Sequence, residues 1–138
     1  MPRLPGLTLS DADRLVQTAL DVGAERGFPP LAVAVVDVAG EVIALRRSDG
    51  ARPFTSRVAV AKARSALRSL MPSGQLENVP PGIIAALQAS YQGDFVPRAG
   101  GVLVTEGDVV VGAAGASGAQ SDEDEEAVRT AVDRWQAR

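Results

Sequence analysis

The stretch that most constrains this chain runs from Ala99 to Gly118, AGGVLVTEGDVVVGAAGASG. Two apolar runs flank a turn at Glu106-Gly107, which reads as a β-hairpin. The second arm is short of side chains: Gly112, Gly115 and Gly118 recur every third residue, with Ala and Ser between them. Glycine inside a strand marks a bulge, a bend or a close approach by a ligand or another backbone. The plain reading is a helix packed tightly on a sheet. The sharper reading is a held ligand, because five acidic residues crowd positions 121–126 just beyond the strand and a helix begins there.

The rest of the chain falls into order around that hairpin. Thr8 is a good helix N-cap with Asp11 three residues on, and Leu9, Ala12, Val16, Ala19 and Leu20 repeat at helical spacing. A first helix is expected over 10–26, stopped by Gly27 and Pro29-Pro30. Leu31 to Val38 is an almost unbroken apolar run, as a strand covered on both faces would be. Ala39-Gly40 turns the chain into a paired strand over 41–47. A loop with Asp49-Gly50 follows, then a helix over 55–70 closed by Pro72. Residues 73–79 read as loop, 81–90 as a short helix and 122–136 as the last helix. Two hairpins in one sheet with helices outside describe an α+β domain, a single one over residues 1–138.

Composition removes whole classes of function. There is no cysteine and no histidine. Disulfides, thiolate nucleophiles, zinc fingers, iron–sulfur clusters and histidine-based triads are therefore excluded. Outside the acidic run, 12 acidic residues face 14 basic ones, and only 4% of residues are aromatic. No basic face with stacking aromatics suggests nucleic acid. No run is apolar enough for a membrane span and no signal peptide is visible, so a cytoplasmic location is expected. The glycine spacing does not match a dinucleotide or phosphate loop. No metal site is expected.

Two residues stand in the wrong place for the surface. Thirteen of the 14 basic residues are Arg; the one lysine is Lys62. At roughly 100° per residue, Arg57, Arg64 and Arg68 share one stripe of the second helix, as a solvated face would. Lys62 lies nearly opposite. It must snorkel, pair with an acid or sit in a pocket. On the last helix, Ala127, Val128, Ala131, Val132 and Trp135 form the apolar stripe, and Asp124 points into its middle. The plain explanation is capping, with Ser121 at N-cap and Asp124 at N3. The sharper one puts Lys62 and Asp124 in one pocket beside the glycine-rich strand. Ser117 as a nucleophile would need Lys62 as its base. Arg46, Arg47, Arg52 and Arg57 surround the Asp49 loop and could meet carboxylates, or simply serve solubility.

The strand ending Val36-Asp37, Asp49-Gly50-Ala51, Ala59 to Ala63, Met71-Pro72-Ser73, Gly100-Gly101-Val102, Val110 to Ala119 and Asp124-Glu125 occur in an order that resembles the GlcG/HbpS family, sometimes labelled haem-degrading-like. The family often has Pro where Leu103 stands. The resemblance implies a profilin-like sandwich with a central antiparallel sheet of about five strands and helices on its faces. It implies homo-oligomers, dimers or larger, and in some members haem or other tetrapyrrole binding. The ligand-binding candidates are Asp49, Arg57, Gly100, Gly101, Gly115 and Ser117, beside the catalytic candidates Lys62 and Asp124. Histidine ligation of haem iron is impossible here, which leaves Met71, Tyr91 or Thr105.

Three functional classes follow. The first is a cofactor-free enzyme of cyclase or isomerase type acting on a small, largely apolar metabolite in a biosynthetic pathway. Such reactions need shape and one positioned acid or base. The second is a haem-binding or sensing protein. The third is a non-catalytic accessory oligomer.

Overall fold

A computed structural model describes residues 1–138. In chain order the elements are α1 (Leu9–Glu25), β1 (Ala32–Val36), β2 (Val42–Arg47), α2 (Thr55–Ser69), a 3-10 helix (Ser73–Asn78), α3 (Pro81–Ser90), β3 (Gly101–Glu106), β4 (Val109–Ser117) and α4 (Ser121–Gln136). The sheet is antiparallel throughout, in the order β2-β1-β4-β3. It has four strands rather than about five. Residues 73–78 coil into a 3-10 helix rather than an open loop. The β3–β4 turn falls on Gly107-Asp108, one residue beyond the expected place, and a register shift between Val104 and Thr105 accompanies it.

The sheet's two faces are built differently. Every residue of β1 is buried. Val33 and Val35 join Leu15, Val16, Val128, Val132 and Trp135 in a thick core beneath α1 and α4. Each large apolar side chain buried there stabilises the fold by about 1.5–3 kcal/mol. The alternate residues Ala32, Ala34 and Val36 face α2, against Ala59 and Ala63. Alanine on both sides brings α2 almost onto the sheet backbone. At Gly115, paired with Ala34, an added Cβ would strike the carbonyl oxygen of Ala59; at Gly101 it would strike that of Lys62. The glycine-rich strand is thus first a seat for a helix.

Local capping anchors the ends. Thr8 and Asp11 form a reciprocal capping box at α1, and Asp11 also accepts from the Trp135 indole at 3.2 Å, tying α1 to α4. Ser73 Oγ accepts from the Gly101 amide at 2.8 Å and donates to the Arg98 carbonyl at 2.6 Å, fixing where β3 begins. Arg64 and Arg68 do not form a free solvated stripe. Both pair with Asp94 at 3.2 Å, and Arg68 stacks over Tyr91. They hold the segment leading to β3 against α2.

Candidate functional site

The helices α2 and α4 lie on opposite faces of the sheet, yet Lys62 and Asp124 meet. Their contact closes at the end of the sheet, where β3 starts and β4 finishes. The Lys62 backbone lies against Gly101, and its side chain passes Gly100 so closely that a Cβ there would lie 2.7 Å from Cδ and 2.9 Å from Nζ. Gly100 has φ +136°, a conformation that favours glycine. Lys62 Nζ then donates to Asp124 Oδ2 at 3.0 Å. Both residues are buried, at 4% and 2% relative exposure.

Asp124 does not serve as the N3 cap. Gln120 takes the N-cap position and Glu123 completes the capping box, so the acidic run supplies its own cap one residue early. The Asp124 side chain is left to turn inward. Its Oδ1 accepts from the Ala119 amide at 3.0 Å, so both oxygens are engaged. Burial pushes the Asp124 carboxyl above its ordinary value of 3.8, against the opposing pull of Lys62 and the Ala119 amide.

The pair borders a cavity of about 520 Å³. Gly50, Ala51, Arg52 and Phe54 form one wall, Ser117 to Ser121 another, and Pro29-Pro30 the lip. A second groove of about 690 Å³ lies across α2, between Val42 and Leu45 of β2, Arg57 and Arg64, and Gln92 to Asp94.

The expected site residues divide accordingly. Lys62, Asp124 and Ser117 border the same cavity. Gly101 and Gly115 do not face it; they are taken up by the backbone of α2, and Gly100 stands behind the Lys62 side chain. Arg57 lines the other groove, and Asp49 lies by a separate small cavity near Leu20 and Phe28. The expected arginine cluster is dispersed. Arg46 reaches Gln17, Arg47 reaches the Pro53 carbonyl, and of the four only Arg52 borders the cavity. Phe54 stands beside Arg52 on the wall and belongs to none of the sequence motifs. Their neighbours Asp49-Gly50-Ala51 carried the visible motif, and the exposed aromatic beside an arginine was the signal available.

Neither Met71, Tyr91 nor Thr105 borders the cavity. Tyr91 stacks on Phe95 with ring centroids 5.9 Å apart, and Thr105 accepts from Gln136. No group of three or more acidic, histidine or cysteine side chains is arranged to hold a metal ion. No helix is long and apolar enough to cross a membrane.

Among solved structures, Klebsiella pneumoniae protein ORFY matches with a TM-score of 0.89 at 24% identity, over 100% of this chain and 96% of that one, a likeness of fold. A double mutant of Streptomyces reticuli HbpS matches with a TM-score of 0.82 at 27% identity, over 97% of this chain and 90% of that one. A PduOC:heme complex matches with a TM-score of 0.85 at 25% identity, over 94% of each chain. No protein of curated function matches in sequence. The sequence profile described as "haem degrading protein HbpS-like" matches residues 7–133. That match spans nearly the whole length: this chain belongs to the HbpS-like family.

Proposed function

We propose that the protein is a single-domain, cytoplasmic small-molecule-binding protein whose ligand sits in the Lys62–Asp124 cavity, and that the pair acts there as an acid–base dyad. The observation that carries this is the buried ion pair bordering a cavity. An ammonium has three N–H donors. Asp124 takes one, which leaves two for a carbonyl oxygen. Asp124, whose carboxyl burial pushes above its ordinary value, is the basic member of the pair. These are the means for a cofactor-free isomerisation, cyclisation or elimination on a metabolite of a biosynthetic pathway. Ala51 and Phe54 give the ligand an apolar contact. The helix α3, rich in Ile, Leu and Ala yet with no buried residue, supports a homo-oligomer, dimer or larger, in which that helix is covered.

The test is native mass spectrometry of the protein purified from its host or incubated with host extract. An oligomer carrying a small metabolite, lost in Lys62→Ala and Asp124→Ala, supports the proposal. A ligand retained equally by both variants refutes it, and points to an accessory oligomer.

A second reading, haem binding, draws on the family description and on the PduOC:heme neighbour. The cavity residues do not fit axial ligation of haem iron. The chain has no histidine or cysteine, Lys62 Nζ in its ion pair with Asp124 is an ammonium with no lone pair to give to iron, and Met71, Tyr91 and Thr105 lie elsewhere. A hemin titration followed in the Soret region separates the two readings: saturable one-to-one binding favours haem.

A further inference from the structure

We propose that the cavity selects an organic acid with an apolar tail: a carboxylate that meets Lys62 and Arg52, and a tail that lies along Phe54 and the Pro29-Pro30 lip. The inference rests on the reading that this cavity is the ligand site.

Charge comes first. The cavity is bordered by Lys62, Arg52 and Asp124. Asp124 has both oxygens satisfied, one by Lys62 and one by the Ala119 amide. Lys62 retains donors that no protein group accepts. Arg52 is exposed at the rim, and its guanidinium has no ion-pair or hydrogen-bond partner in the chain; among the arginines without one, it alone lines this cavity. Two cations against one satisfied carboxylate leave a net positive cavity, and a planar carboxylate suits a guanidinium geometrically.

Shape comes second. Phe54 immediately precedes α2, is 56% exposed and stands on the same wall. A rim phenyl beside two prolines offers an apolar surface outside the charged floor. A ligand matching this layout has its acid inside and its hydrocarbon or aryl part toward the mouth. This also reconciles a charged floor with a largely apolar metabolite.

Benzoate and its neutral isostere benzamide make the test, followed by backbone amide shifts in two-dimensional NMR of the intact chain. Benzoate is expected to shift the amides of residues 50–54 and 117–121, and to bind at least about tenfold more tightly than benzamide. Arg52→Gln, at an exposed position that leaves folding intact, is expected to weaken benzoate by about fivefold, the scale of a partly exposed ion pair. It leaves benzamide unchanged. Phe54→Ala is expected to weaken both. If benzamide binds as well as benzoate, or Arg52→Gln changes neither, the anion selection is overturned while the cavity remains the ligand site. If neither compound shifts these amides, the inference fails together with the reading of the cavity as a ligand site.

Discussion

Removing Lys62 should be costly in a way that removing both members of the pair is not. In Lys62→Met the side chain keeps its length but not its charge, and Asp124, 2% exposed, retains only the Ala119 amide. Breaking one side of a buried ion pair destabilises by about 3–5 kcal/mol, because the remaining charge stays buried. For a chain of this size, a loss of 1 kcal/mol lowers Tm by about 4 °C, so a fall of about 12–20 °C is expected. Lys62→Met/Asp124→Leu replaces the pair by apolar groups of similar volume. It should lie within about 2 kcal/mol of the parent protein, and since removing either partner alone costs about 3 kcal/mol or more, the coupling between the positions is at least about 4 kcal/mol. Urea denaturation at pH 7 measures Lys62→Met, Asp124→Leu and the double variant. The pH profile adds an independent sign. Asp124 has a folded pKa above its ordinary 3.8, so the folded state binds its proton more tightly than the unfolded chain does. Its contribution is favourable at low pH and is lost as pH rises through the folded value. Without the opposing pull of Lys62 that value rises further, so the deficit of Lys62→Met should shrink on acidification from neutrality. A single variant within about 1 kcal/mol of the parent, or a double variant as unstable as the two singles summed, would refute the account of a buried, mutually dependent pair.

Gly115→Ala places a methyl against the Ala59 carbonyl, with backbone on both sides and no flexible atom to yield. It should destabilise by about 3 kcal/mol or more in urea titration; unchanged stability would refute the close seating of α2 on the strand. Ser73→Ala strands the buried Gly101 amide and should cost about 1–3 kcal/mol, with faster hydrogen exchange at that amide as the direct readout. At α1 the hydrogen bond from the Thr8 amide holds the Asp11 carboxyl below 3.8. Its contribution is present above that value and lost as pH falls through the depressed one, and NMR titration of Asp11 in Thr8→Pro, which lacks that amide, should show the pKa moving back up. Ile83→Glu on α3 should lower oligomer mass in native mass spectrometry while barely changing the cooperativity of unfolding, since that side chain is 53% exposed.

Local chemistry carried much of the fold into the sequence. The apolar run at β1 announced a strand covered on both sides, and the Thr8/Asp11 box marked the start of α1 because a cap depends only on neighbours. Lys62 and Asp124 were legible one at a time, since a charge on the apolar side of a helical wheel violates a local pattern. Their contact was not, because the two are 62 residues apart and sit on helices covering opposite faces. Nothing periodic encodes which end of a sheet two helices will share. The glycines at 101 and 115 left two readings open for the opposite reason: a missing side chain looks the same whether a ligand or a helix fills the space. Arg64 and Arg68 read as solvated until the loop bearing Asp94 folded over them.

The seating of α2 on glycine has a consequence for how such a site can change over generations. Because the carbonyl of Lys62 rests against Gly101 and that of Ala59 against Gly115, α2 has no room to slide or roll. The root of the Lys62 side chain is therefore fixed by main chain, while its stem beside Gly100 and its partner Asp124 aim the ammonium. Divergence in what the cavity accepts is left to the two segments that wall it, 50–54 and 117–121, which can vary without unseating the helix. Lineages sharing this fold would thus be expected to keep the floor and rewrite the mouth.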